Sequence, residues 1–257
     1  MSQYIPFRAS FDQAKSFEKY SNIILLISTL ILIINFLINS YYPKINEFAS
    51  FLNNINCFFI IAYSILSFLK NFTFFDASSF RRYDFVDNSF QTKFGEKKSK
   101  EYYTNDTVEE GIYKMAVNSF ENCLFSYNIS KKMTFTLWVK NIIFAIVIIG
   151  FAIFGFNNIL ILLIQLTLPL FLLHDAIKLQ VFVYRIKRTL ENFRRLFNDL
   201  SNTSNIQQKE PEIILNVLDY ETAIVSGAVL LDSKIYNQLN PELSTDWNRI
   251  KKEYSIN

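Results

Sequence analysis

Between Lys140 and Asp175 the chain carries no charged side chain, an uncharged run of 34 residues, Asn141–His174. A helix that crosses ~30 Å of hydrocarbon needs ~20 mainly apolar residues, so this run is too long for one crossing. Phe156-Asn157-Asn158 is its natural break and predicts spans near 137–156 and 159–177. Two more charge-free stretches, Ser21–Tyr42 and Phe48–Leu69, each have the length of one span. The pattern predicts an all-α membrane protein with four transmembrane helices in two hairpins. A cleaved leader does not fit the first stretch. It follows 20 mostly polar residues, exceeds a 7–15-residue apolar core and lacks a small-x-small site after it.

Lysine and arginine set the orientation. Three lie in 1–20, eleven in 70–140 and eleven in 178–257, against Lys44 alone in the 43–47 turn. With the three long segments 1–20, 70–140 and 178–257, and so both termini, cytoplasmic, 25 of 26 basic residues lie inside, as the positive-inside rule requires. The expected division is an N-terminal cytoplasmic segment (1–20), hairpin 1 (21–69), a cytoplasmic helical segment (70–136), hairpin 2 (137–177) and a cytoplasmic stalk with C-terminal helices (178–257). The setting this implies is a membrane whose basic side faces the cytosol, with the lipid bilayer as first partner. Cys57 and Cys123 suggest neither a disulfide framework nor a metal set.

The cytoplasmic parts read as helices. Asp76 is placed to cap a short helix carrying Phe80 and Tyr83, and residues 91–106 are polar enough for a loop. Thr107-x-x-Glu110 has the form of a capping box ahead of a helix with Ile112, Met115, Ala116, Phe120, Cys123, Leu124 and Tyr127 on one face. Beyond the fourth span, Leu179, Val183, Ile186, Leu190, Phe193, Phe197 and Leu200 alternate at spacings of 4 and 3, an a/d seam. Such a seam joins copies into an oligomer, a tetramer being favoured, or else packs on the 107–130 helix of its own chain. Pro211 suits the first turn of a following helix that runs to about residue 239, with Ser226-Gly227-Ala228 allowing a close helix approach. A turn and a short capped helix end the chain.

Chemistry-bearing patterns are few: there is one histidine, no glycine-rich phosphate loop and no paired-cysteine spacing. No catalytic residue, metal ligand or cofactor is therefore assigned. The polar residues inside the spans are more informative. Ser28, Asn35 and Asn39 share one face of the first span, and Asn53, Asn56 and Ser64 one face of the second. An amide in hydrocarbon needs a partner. These six either line a pore or bond helix to helix. Arg185, Arg188, Arg194 and Arg195, with Lys97, Lys98, Tyr102 and Tyr103, supply phosphate donors and stacking faces for an anionic ligand. Arg81, Arg82, Asp84 and Asp87 read as a structural hinge, an ion-pair knot of either arginine with either aspartate.

Three stretches carry a resemblance: RRYDFVDNSF after the second span, GIYKMAVNSFENCLFSYNISKKM before the third, and LDSKIYNQLNPELSTDWNRIKKEY at the end. They resemble bacterial four-span, pore-forming effectors of nucleotidyltransferase-linked anti-phage defence, of the CBASS-associated or Hailong type. The resemblance implies a homo-oligomeric channel gated by a product of the partner nucleotidyltransferase, a cyclic oligonucleotide or a single-stranded DNA oligomer. Opening would depolarise the membrane and abort the infection. A membrane-anchored scaffold that recruits a cytosolic partner and conducts nothing is the alternative.

Overall fold

The computed structural model describes residues 4–41, 46–153, 167–202 and 205–256, and among these the fold is all-helical. Six helices are seen: α1 (Arg8–Tyr41), α2 (Asn46–Phe90), α3 (Ile112–Ile153), α4 (Thr167–Asn202), α5 (Ile206–Gly227) and α6 (Ser233–Glu253). Among the described residues the β-type contact is a bridge between Tyr4 and Lys100. Length and composition make α1 and α2 able to cross a membrane, over Arg8–Asn39 and Glu47–Phe90. The expected break at Phe156-Asn157-Asn158 lies outside the described residues.

Several local expectations are corrected. Asp76 caps nothing: α2 runs unbroken for 45 residues through it, because the stretch from Asn71 to Phe90 contains neither glycine nor proline to stop it. Thr107 is not the start of α3, which begins at Ile112 after Gly111 turns at φ +133° and donates its N–H to the Ser89 carbonyl. Helix α5 starts earlier than Pro211 suggests, at Ile206, where the Asn205 side chain accepts from the Gln208 N–H. It stops at Gly227, well short of residue 239, because Ala228 adopts a left-handed conformation. The C-terminal turn and short helix are in fact the single helix α6, which contains Pro241 and is capped by Asp232 accepting from the Lys234 and Ile235 N–H groups.

The chain divides into two compact units. The helical unit holds the chain up to Phe11, Phe74–Thr134 and Lys178–Asn257; the hairpin unit holds Asp12–Thr73 and Phe135–Ile177. Every boundary between them falls inside a helix, in α1, α2, α3 and α4.

The helical unit has a conventional core. Phe120 of α3 is fully buried, stacks on Phe193 and Phe197 of α4 and meets Trp247 of α6 edge-on. Gly227 is where α5 meets α4: a Cβ there would stand 2.5 Å from Phe182 Cδ2. Since Phe182 is itself buried, it has no free space to yield. Gly227→Ala should cost about 1–3 kcal/mol by overpacking, read as a lower unfolding midpoint in detergent. An unchanged midpoint would mean that the α4–α5 contact is looser than this.

The hairpin unit is built the other way round. Its described interior includes Ala14, Ser21, Leu25, Ser28, Thr29, Asn35, Ala49 and Asn56. Its surface carries Ile23, Leu26, Leu30, Ile34 and Leu37 on α1 and Phe58, Ile61, Ile65 and Phe68 on α2. The segment of α3 in this unit exposes Phe135, Ile142, Ile146, Ile149 and Ile153. Small and polar groups inside with large apolar groups outside invert the pattern of a water-soluble core.

Candidate functional site

In the hairpin unit α1 and α2 are antiparallel, and polar bonds fix their register. Ser28 Oγ donates to Asn56 Oδ1 at 2.7 Å, and Asn35 Nδ2 to Asn53 Oδ1 at 2.5 Å. Asn39 bonds back to Asn35 at 3.4 Å, and Ser64 to its own helix at the Ile60 carbonyl. Lys70 meets Glu18 at 2.7 Å toward the charged end. Of the two sequence readings, the structure therefore has helix-to-helix bonding for Ser28, Asn35, Asn53 and Asn56. Each of the four gives one polar atom to the bonds across the hairpin, while Asn53 is at the same time exposed.

In the helical unit the charged aromatic segment of α2 is taken apart. Arg81 pairs with neither aspartate. Its Nη2 lies 2.6 Å from Glu221 Oε2 of α5, both side chains are largely enclosed, and its guanidinium lies over the Tyr220 ring. Burial opposes the charge on Arg81, but Glu221 outweighs it and holds the guanidinium firmly protonated. Arg82 bonds to Ser79 of its own helix at 3.2 Å. Asp84 accepts from the Ser99 N–H at 2.7 Å. Asp87 accepts from Thr92 and from the Phe94 and Gly95 N–H groups. A Cβ on Gly95 would stand 3.3 Å from Asp87 Oδ2, so the loop can approach closely at that glycine. The knot is thus a buried ion pair plus two aspartates that staple the 91–100 loop. The reason is geometric: backbone N–H groups of the loop face both carboxylates and bond them without an arginine, fully for Asp87 and through Oδ1 alone for Asp84, whose Oδ2 is buried without a hydrogen bond.

The two aspartates titrate in opposite directions. Burial raises the Asp84 carboxyl above its ordinary value, against the Ser99 hydrogen bond. Burial also pushes Asp87 up, but the bonds from Phe94, Gly95 and Thr92 prevail and lower it. A raised folded-state pKa adds stability below the unfolded value and loses it as pH rises through the folded value. Asp84→Asn should therefore gain stability relative to the wild type as pH rises from roughly 4, the ordinary aspartate range. Unfolding midpoints of both proteins across the weakly acidic range up to neutrality check this, and a constant difference would refute it.

Other expected ligand contacts separate. Tyr102 and Tyr103 are not free stacking faces, which corrects their assignment. Tyr102 packs on Phe7 and Tyr103, and Tyr103 is buried. Burial pushes the Tyr102 hydroxyl up to about 12. Lys97, Lys98, Arg185, Arg188, Arg194 and Arg195 are exposed, with Arg185 bonded to Ser226 at 2.7 Å. The a/d seam of α4 is corrected as an oligomer contact. Leu179, Val183, Ile186, Leu190, Phe193 and Phe197 are buried within one chain and Leu200 is half-buried. Cys123 of α3 donates to the Ile186 carbonyl at 3.4 Å, placing α3 against this seam.

Two features escape a reading of the sequence. Glu221 is an acid beside a buried tyrosine, yet nothing local marks it as the partner of a residue 140 positions away. Asn105, expected in a polar loop, is fully buried: it donates to Asn118 and Glu121 and accepts from Trp247 Nε1. Asn118 donates onward to Asn88 of α2. No group of three or more metal-ligating side chains occurs among the described residues. No protein family, curated protein or solved structure matches the chain.

Proposed function

We propose that this chain is a multi-pass protein of a bacterial inner membrane, with four helices in two hairpins and both termini cytoplasmic. Copies of it assemble into a channel whose conduction responds to an anionic nucleotide or DNA oligomer, as an effector of anti-phage defence. The inverted hairpin unit carries this reading. Apolar faces on α1, α2 and α3 would each cost free energy in water at about 25 cal/mol per Å², whereas lipid leaves them unpenalised, and buried serines and asparagines find partners between helices. The exposed arginines of α4 supply the anion-binding side, and the three resembling segments supply the defence context.

The four amides and hydroxyls engaged across the first hairpin favour the alternative, a membrane-anchored scaffold that conducts nothing. Flux from liposomes holding the purified protein separates the two. Ion release is expected to change on adding a cyclic oligonucleotide or a short single-stranded DNA. Arg188→Glu with Arg195→Glu should abolish that response, since binding built on phosphate contacts is strongly charge-dependent. If the wild type moves no ions with any of these ligands or without them, the channel reading fails and the scaffold replaces it.

A further inference from the structure

We infer that α2 carries a contact face for α2 of a second copy of this chain, with Asn54 meeting its own counterpart. Ser50, Asn54, Cys57, Ile61, Ser64 and Phe68 follow one another at spacings of 4 and 3, so they share one side of the helix. All six are exposed. This side differs from the one turned to α1, which holds the buried Ala49 and Asn56. Most of what the hairpin unit exposes is apolar and at home in lipid. Asn54 is not. Asn35, Asn53 and Asn56 bond across the hairpin, whereas the Asn54 amide has no partner among the described residues, although it lies within the charge-free stretch Phe48–Leu69. An amide in hydrocarbon carries a desolvation cost that a bond to another helix removes.

Membrane insertion names the occupant. With the basic segments of every copy on one side of the bilayer, the α2 helices of two copies run parallel and equal residues lie at equal depth. Across a twofold axis normal to the membrane, Asn54 then faces Asn54. An amide has both N–H donors and a carbonyl acceptor, so this pair is self-complementary, each member donating to the other. An unrelated helix would need an amide of its own at that depth. Ser50, Cys57 and Ser64 are small and let the two backbones approach, while Ile61 and Phe68 fill the space between them. Ser64 needs nothing from a partner, its hydroxyl being bonded to the Ile60 carbonyl. One polar position in an otherwise apolar parallel contact also fixes its register. The face deepens the functional reading above by supplying a contact between copies, and it rests on that reading only for the bilayer around α2.

The test uses the full chain in liposomes, with copper phenanthroline as oxidant. Thiols at equal positions of a parallel pair come within disulfide reach, and the oxidant takes one hydrogen from each. Cys57 is the exposed thiol, and Cys123 is buried and stays silent. Wild type should give a covalent dimer, and Cys57→Ser none. Asn54→Leu should raise the dissociation constant about fivefold or more in detergent, for the lost amide pair, and Asn54→Gln should keep most of the dimer. Leucine enters lipid more readily than asparagine, so failed insertion does not explain a loss. Flotation with the liposomes checks insertion directly. Wild type that floats without forming a dimer, or Asn54→Leu protein that dimerises like the wild type, overturns the contact and leaves the membrane reading standing. Labelling of Cys57 by a water-soluble maleimide with no dimer also overturns it, the face then meeting water. Protein that stays out of the liposomes overturns both. A dimer without ligand-responsive flux removes the channel and keeps the contact.

Discussion

Arg81→Leu is expected to destabilise the helical unit by about 3–5 kcal/mol, the cost of leaving a buried charge without its partner. The charge left behind is Glu221, whose Oε1 has no hydrogen-bond partner in the structure while Oε2 relies on Arg81. Removing the guanidinium strands the whole carboxylate among Tyr220 and Tyr103. Arg81→Leu with Glu221→Leu should recover most of the loss, because well-packed apolar replacements of a buried pair are often neutral. Denaturant unfolding in detergent, followed by fluorescence of the buried Trp247, reads both. Equal losses in the single and double variants would show that packing around Arg81, and not its charge, holds α2 to α5.

The same pair shows what the sequence can and cannot disclose. That 80–90 holds a structural ion pair is legible from two arginines set among aromatics. The nearest carboxylates are the natural partners, and they are the wrong ones. Asp84 and Asp87 lie on the same helix as Arg81, where backbone N–H groups of the 91–100 loop reach them. Glu221 comes from a helix that only tertiary packing brings near. Periodicity shows which face of a helix is occupied; it does not name the occupant.

Helix ends escape a reading of the sequence here whether a side chain or the backbone enforces them. Asp232 caps α6 with its carboxylate, yet a continuous helix through it is locally as good. The stop at Ala228 has no glycine at the left-handed position to announce it. Gly227 one residue earlier is legible for another reason, the close approach of Phe182. The hairpin polar pattern reads as one face on each helix, and the bonded partners lie on those faces.

The seam of α4 gives the second large effect. Ile186→Asp should abolish folding of the helical unit, at a cost above about 4 kcal/mol, instead of dividing an oligomer into intact subunits. Ile186 has no exposed surface, and Phe182, Leu190 and Phe193 of the same helix are buried as well, so the new carboxylate would be shut away from water. Tyr184→Asp, two residues away on the exposed face of the same helix, should change stability by no more than about 0.5 kcal/mol. The contrast follows from helical geometry: positions two apart lie on nearly opposite sides. Unfolding midpoints and native mass in detergent, measured on both variants, decide it. A folded Ile186→Asp protein of lower mass would make the seam a contact between copies and overturn the packing of α4 on α3.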